Sequence, residues 1–404
     1  MRFAHLADCH IGGWREPKLK ELSIKAFAKA INTCIEKKVD FVLISGDMFD
    51  TALPGIDTLK EVVINLKHLK DNNTPLYLIP GSHDFSPSGK TILDVLEKAG
   101  LLVNVAQTEL MGENIKLNFT TDKNTKTKIT GLLGRRGGMD KKDYQNLLKK
   151  ELEEEPGFKV FMFHNMLEEL RPKELEEVPS ISLNSLPKNF NYYAGGHPHL
   201  VAKKKHENGF LAYPGPLFPN NFKEVEELEN GGFYIVDEKD GELKLNWEPI
   251  IVANVFKLSI DAENKTTEKV EEEIIEDISN NEFINTIVTL RISGKLKSGK
   301  TSDIKFKEIF KTLYDKGAYF VMKNTAKLTS PEFEQVNVEK SSVEEIEESL
   351  IKENPPKTRL GEDDTRMIKQ IMRVLSEEKK EGETKTVFED RIKQEISNLL
   401  GLGL

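Results

Sequence analysis

Five short blocks of this 404-residue chain carry the side chains that could do chemistry. They are Asp8-Cys9-His10, Gly46-Asp47-Met48-Phe49-Asp50, Gly81-Ser82-His83-Asp84, Phe163-His164-Asn165 and Gly195-Gly196-His197-Pro198-His199. Four of them hold five of the eight histidines, so the imidazoles are concentrated rather than scattered. Carboxylate oxygens and imidazole nitrogens together suit Mn²⁺, Fe or Zn²⁺ better than Ca²⁺. In Asp8-x-His10 and His197-x-His199 the paired residues are two apart, and on an extended chain such residues point the same way. One carboxylate, assigned to Asp47, can bridge two ions. Two ions about 3.5–4 Å apart clamp the attacking hydroxide and the leaving oxygen of a phosphoryl transfer. They also lower the pKa of the water between them and offset the phosphate charge. A leaving alkoxide needs a proton, and His83 is the candidate donor. Gly46, Gly81, Gly195 and Gly196 read equally as turn residues, which would present the ligands.

Each block follows a segment that reads as a strand: Arg2–Ala7, Asp40–Ser45, Leu76–Ile79, Lys159–Phe163 and Asn191–Ala194. Helical spacing of apolar residues predicts helices at Leu19–Lys38, Leu59–Leu69, Thr91–Glu97 and Lys141–Glu154. Strands separated by helices predict a layered α/β fold, whose ligands collect beyond the carboxyl ends of the strands. From about 200 to 250 the pattern holds only short strands (Phe210–Ala212, Gly232–Val236, Leu243–Glu248), read as antiparallel sheet completing the first domain. A second unit starts near Ile251. It runs strand Val255–Ile260, helix Glu268–Ile278, strand Phe283–Ile292, helix Ile304–Lys316 and strand Tyr319–Lys323, a small α+β domain.

The last stretch, 331–404, holds 18 acidic against 12 basic residues and a Pro355-Pro356 break. Two amphipathic helices are predicted there. One spans about 364–380 with a stripe of Ile368, Ile371, Met372 and Leu375; the other spans about 387–400 with Phe388, Ile392, Ile396 and Leu399. Thr386 and Glu389 form a capping-box pattern at the start of the second. Helices this short, on a charged tether, bury little alone and call for a partner surface.

Composition sets the limits. Apolar residues make up 38% and charged residues 31%, in strand- and helix-length clusters, which excludes both a membrane-spanning chain and wholesale disorder. The N-terminus reads as a strand rather than a signal peptide. The two cysteines, Cys9 and Cys34, supply neither a disulfide framework nor a zinc module and fit a reducing cytoplasm. With a net charge of −9, any DNA contact must be local. Arg135-Arg136 in a glycine-rich loop and Lys203-Lys204-Lys205 are the candidates.

The order Asp-x-His, Gly-Asp-x-x-Asp, Gly-x-His-Asp, lone His, Gly-His-x-His over residues 1–200 resembles the calcineurin-like metallophosphoesterases. Asp8-Cys9-His10-Ile11-Gly12 is similar to the opening of the SbcD nucleases and their archaeal and eukaryotic counterpart, the meiotic recombination eleven nuclease. Tyr213-Pro214-Gly215-Pro216 resembles the segment after their last histidine pair. The resemblance implies two central mixed β-sheets flanked by helices over 1–250, a small DNA-binding capping domain over 251–330, and a linker with a helical pair over 331–404. Residues of about 360–400 would bind a coiled-coil ABC-type ATPase of the SbcC or radiation-sensitive fifty type. It further implies a Mn²⁺-dependent exonuclease and single-strand endonuclease acting at DNA ends in double-strand-break repair. The enzyme would hold two Mn²⁺ ions, with Mg²⁺, Fe²⁺ or Zn²⁺ as substitutes, and would be a cytoplasmic, nucleoid-associated homodimer.

By the same resemblance, Asp8, His10, Asp47 and His199 hold the first ion, and Asp47, Ser82, His164 and His197 the second. His83 orients the phosphate and protonates the leaving group, and Asp84 orients His83. Asp50 has no assigned role. One position departs from the family: Ser82 stands where relatives carry Asn, and its hydroxyl is shorter and a poorer ligand, which predicts a weaker second site. Two rival readings follow. One is a phosphatase or cyclic-nucleotide phosphodiesterase on the same scaffold, which would turn over a small ester but not DNA. The other is a catalytically weak adaptor, on the strength of Ser82.

Overall fold

The computed structural model describes residues 1–86, 91–135, 141–330, 364–377, 379–380, 383 and 385–400. The chain divides into two compact units, Met1–Glu332 and Phe333–Leu404.

Two six-stranded sheets face each other in the first unit. The first contains β1 (Arg2–Leu6), β2 (Phe41–Ser45), β3 (Leu76–Ile79) and β4 (Val103–Asn104), all parallel. A hairpin of β15 (Gly231–Lys239) and β16 (Glu242–Ile250) adds antiparallel to β1, giving the order β16-β15-β1-β2-β3-β4. The second sheet has the order β13-β14-β12-β9-β8-β7. Here β7 is Thr120–Thr121, β8 Lys128–Gly131, β9 Lys159–His164, β12 Tyr192–Gly196, β13 Val201–His206 and β14 Gly209–Pro214. Both sheets are mixed, as expected. Outside them lie two short pairs, β5 (Thr108–Met111) with β6 (Asn114–Leu117) and β10 (Met166–Leu167) with β11 (Ser180–Ile181).

The period-two pattern of each strand sorts its side chains into layers. Phe3, Phe41 and Leu43 point between the sheets, where they meet Val160, Met162 and Tyr192 of the second. Ala4, Leu6, Val42 and Ile44 point outward onto two helices, α1 (Pro17–Glu36) and α2 (Ile56–Asp71). Phe3 and Phe41 stack with ring centroids 5.0 Å apart, and truncating either to alanine would cost about 3–5 kcal/mol. With one core between the sheets and others outside, the strand ends are held rigidly, as a multi-ligand site requires.

Three elements differ from expectation. The expected helix Lys141–Glu154 is two, α4 (Lys141–Gln145) and α5 (Lys149–Glu154). Ile115 captures the backbone between them, accepting from Leu148 N and donating to the Asn146 carbonyl, both at 2.9 Å. A short helix, α6 (Phe222–Leu228), appears where only strands were expected; an earlier helix of the same length is α3 (Ile92–Lys98). The region after 251 is more regular than a small α+β domain. It alternates β17 (Asn254–Asp261), α7 (Thr267–Ser279), β18 (Thr286–Lys295), α8 (Phe306–Asp315) and β19 (Ala318–Thr329) around a fully parallel sheet. Its core, including Val270, Ile274, Leu290 and Leu313, is separate from those of the two large sheets.

In the second unit, helices cover Asp364–Leu375 and Lys385–Leu399. Arg391 ties the turn between them, pairing with Glu383 at 3.0 Å and with Glu377. Thr386 lies inside the second helix, so the expected Thr386–Glu389 cap does not form the start of it. Among the described residues, no helix is long and apolar enough to cross a membrane.

Candidate metal centre

All five blocks meet at the carboxyl ends of β1, β2, β3, β9 and β12. The side chains gather into groups whose ligand atoms lie within 4.8 Å of one another: Asp8, His10 and His199, and Asp47, His164 and His197, with a third of His10, Asp50 and His83 beside the first. Asp47 sits between the first two. Its Oδ2 lies 3.1 Å from His164 Nε2 and 3.8 Å from His10 Nε2. The histidine pair is therefore split, His199 joining one group and His197 the other.

The backbone achieves this by a route that differs from the extended-chain reading. Asp8, His10, Asp47, His197 and His199 all have positive φ, at 49°, 39°, 50°, 97° and 50°. For residues other than glycine this conformation costs about 1–2 kcal/mol each, and such strain gathers at functional sites. Gly46 precedes Asp47 with φ +88°, and a Cβ there would strike the His164 ring. A Cβ on Gly81 would strike Asp47 itself. These two glycines are requirements of close approach as well as turn residues.

Hydrogen bonds fix Asp8, His164 and Asp47. Asp8 accepts from the backbone N–H of His197 at 2.9 and 3.0 Å. His164 Nδ1 donates to the Ser45 carbonyl at 2.8 Å, which leaves Nε2 facing Asp47. Asp47 also accepts from His83 N at 2.7 Å and from the Ser82 hydroxyl at 3.3 Å. Ser82 thus reaches the second group, but through Asp47.

The residues fit divalent cations. His10 Nε2 and His199 Nε2 face each other at 2.9 Å, two nitrogens aimed at one point. Asp8 and Asp47 are 1% and 2% exposed, deep enough that their charges need a cation nearby. Without an ion, histidines supply that charge. Burial opposes a cation on His164, but the adjoining Asp47 carboxylate outweighs it and lifts the imidazole to about 10. Burial would raise Asp47, yet the same pairing holds it far below the usual carboxylate range. Burial drives His197 the other way, to about 3, so it presents a neutral ring. Charge of this kind, held by buried protons, is exchanged when a metal binds. Bound there, divalent ions would supply Lewis acidity and a hydroxide at neutral pH.

His83 lies beside the groups, its side chain 37% exposed. Its Nδ1 donates to the Asp50 backbone carbonyl at 2.8 Å and lies 3.5 Å from Asp50 Oδ1. Hydrogen bonding to Asp50 pushes its pKa up to about 9, so it carries a proton at neutral pH. The expected partner, Asp84, does something else. It is buried and accepts from Met48 N, Phe49 N and Gly81 N, each at 3.1 Å. Asp84 therefore staples the second block to the third, and Asp50 is the carboxylate that faces His83. Asp50 also lies 3.3 Å from His10 Nδ1.

A model of the calcineurin-like phosphoesterase family matches residues 1–201. The chain carries a calcineurin-like metallophosphoesterase domain. Such a domain is a metal-dependent hydrolase. Similar curated proteins include the DNA double-strand break repair protein Mre11 of Methanococcus maripaludis, 28% identical over 371 residues, 87% of this chain and 91% of that one. The protein of the same name from Archaeoglobus fulgidus is 27% identical over 76% of this chain and 70% of its own. That from Methanocaldococcus jannaschii is 28% identical over 86% and 88%.

Around the phosphoesterase site, sequence reasoning missed one residue outright. Glu224, on α6, accepts from His199 Nδ1 at 2.9 Å. Burial works against its charge, but the bond from His199 holds it below the usual carboxylate range. The signal was present in Asn221-x-x-Glu224, where the Asn221 side chain accepts from Glu224 N at 3.0 Å and caps the helix. Lys203, Lys204 and Lys205 lie on β13, the edge strand of the second sheet, where Lys203 donates to the Leu245 carbonyl at 3.1 Å. Arg135 pairs with Asp143 at 3.1 Å, and Arg136 lies outside the described residues.

Proposed function

We propose that this chain is a Mn²⁺-dependent DNA nuclease that hydrolyses phosphodiester bonds at DNA ends, as exonuclease and single-strand endonuclease, in double-strand-break repair. The observation that carries the reading is Asp47 between two ligand groups, with His83 alongside, its Nδ1 2.8 Å from the Asp50 carbonyl. Asp8, His10, Asp47 and His199 would hold one ion, and Asp47, His164, His197 and, weakly, Ser82 the other. His83, held by Asp50, donates the proton to the departing 3′ or 5′ oxygen, a contribution of about 10²–10⁴ in rate. The curated relatives, all named for double-strand break repair, support DNA as the substrate. Lys203, Lys204 and Lys205 are the proposed phosphate contacts.

The reading extends to partners. Residues 251–330 act as a capping domain distinct from 1–250. The helical pair after 360 docks a coiled-coil ABC-type ATPase. No described residue of either helix is buried, which suits faces that await a partner. Exposed Leu53, Ile56, Ile64 and Val95, on and beside α2 and α3, suit a homodimer. Ile56 is 84% exposed.

The test is cleavage of an end-labelled linear duplex with Mn²⁺, Mg²⁺ or chelator, beside bis-p-nitrophenyl phosphate. Mn²⁺-dependent shortening of the duplex is expected. Turnover of the small ester alone would favour a phosphatase or cyclic-nucleotide phosphodiesterase. Silence on both, with DNA still bound, would favour the adaptor that Ser82 suggests.

A further inference from the structure

Helix α6 touches two parts of the first unit at once. Glu224 and Glu226 are two residues apart, about 200° around a helix, so they leave it on opposite sides. On one side Glu224 reaches His199. Its carboxylate is filled: Oε1 accepts from His199 Nδ1 at 2.9 Å and from Asn221 Nδ2 at 2.6 Å, and Oε2 accepts from Asn220 N at 2.8 Å. A carboxylate held at both oxygens cannot swing away, and a neutral imidazole that donates Nδ1–H to it presents Nε2 as a bare acceptor. That Nε2 is the atom facing His10 Nε2 in the first ligand group.

On the other side the helix grips β18. Arg291 Nε donates to both Glu226 oxygens at 3.0 and 3.2 Å, and the guanidinium lies 5.1 Å from the centre of the Phe222 ring. Beyond the end of α6, Glu229 pairs with Lys257 of β17 at 2.6 Å. A helix of seven residues has little stability of its own, so these anchors set where it lies.

We propose that Glu224 is a positioning residue that fixes the tautomer and direction of His199 for metal binding, and that the Arg291–Glu226 pair holds it in place. The inference rests on the metal reading of the site. It makes the small parallel-sheet domain part of what shapes the metal centre, through one ion pair and one helix. Removing an outer carboxylate from a ligating histidine lowers metal affinity by about 10–100-fold.

The experiment uses the full chain with ¹⁵N-labelled histidine, first metal-free and then titrated with Mn²⁺ followed by electron paramagnetic resonance. In the native chain, His199 should show one tautomer, protonated at Nδ1. Glu224→Ala should mix the tautomers and weaken one Mn²⁺ site by about 10–100-fold while the other is unchanged. Glu224→Gln keeps an acceptor oxygen, so it should retain the tautomer and recover most of the affinity; it carries the test if the alanine variant does not fold. Arg291→Met should shift His199 in the same direction as Glu224→Ala, by less. Unchanged His199 signals and Mn²⁺ affinity in Glu224→Ala would overturn the positioning role, and an unchanged Arg291→Met would overturn the anchoring. If the native chain binds no Mn²⁺, the metal reading fails, while the metal-free spectra still decide what Glu224 does.

Discussion

The two ligand groups are braced differently. The first, Asp8, His10 and His199, is backed by carboxylates: Asp50 stands behind His10 and Glu224 behind His199. The second, Asp47, His164 and His197, is backed by main chain, with His164 held on the Ser45 carbonyl. Asp47 accepts from His83 N and from the Ser82 hydroxyl. Negative charge behind a histidine raises its basicity as a ligand, whereas a backbone carbonyl mainly orients it. The first group should therefore bind its ion more tightly than the second. The lesson is that a site can carry a complete set of residue types and still be unequal, because the inequality resides in what stands behind the ligands.

The comparison can be broken most severely at the residue the groups share. Asp47→Asn should remove both Mn²⁺ binding steps in calorimetry and reduce phosphodiester cleavage to background. Retention of either step would mean that the groups are independent. Next in size is His83→Gln, which should lower kcat by about 10²–10⁴ with both Mn²⁺ steps intact. Loss of a step would make His83 a ligand instead. Ser82→Asn acts on the inequality itself. It should strengthen the second step by about tenfold, the worth of one added hydrogen-bond-sized contact, and leave the first unchanged.

The smallest effect comes from beneath the second group. His5 is buried between the sheets, with Nδ1 2.9 Å from Tyr192 OH and Nε2 3.0 Å from Ser45 Oγ. Burial lowers its pKa from 6.5 to about 3. Across that window the unfolded chain takes up the proton and the folded chain resists it, so stability falls as pH falls. The melting temperature of the metal-free chain should drop by several degrees between pH 6.5 and pH 4, and His5→Gln should flatten the slope. An equal slope in the variant would place the acid sensitivity elsewhere.

The ligands themselves were legible in the sequence because strand, turn and ligand are adjacent along the chain. Arg2–Leu6 followed by Asp8 and His10, or Tyr192–Gly196 followed by His197 and His199, announces both the element and its cargo. What stands behind the ligands was not legible, because those contacts close over long separations. Glu224 meets His199 across 25 residues and a helix too short to show periodicity. Asp84 and Asp50 could not be told apart by adjacency to His83, since only the folded loops show which one faces the ring. The left-handed backbone at five ligands was likewise hidden, because Asp and His tolerate that conformation without advertising it as glycine does. The split of the expected helix Lys141–Glu154 has the same origin, a backbone pairing with Ile115 from a distant hairpin.

The central claim is that two unequal metal ions share Asp47. Titration of Mn²⁺ into the native chain, read by low-temperature electron paramagnetic resonance, tests it most directly. The account predicts two binding steps of different affinity, the second converting an isolated-ion signal into that of a coupled pair, as ions about 3.5–4 Å apart must give. A single step, or two equivalent steps with no coupling, would contradict it.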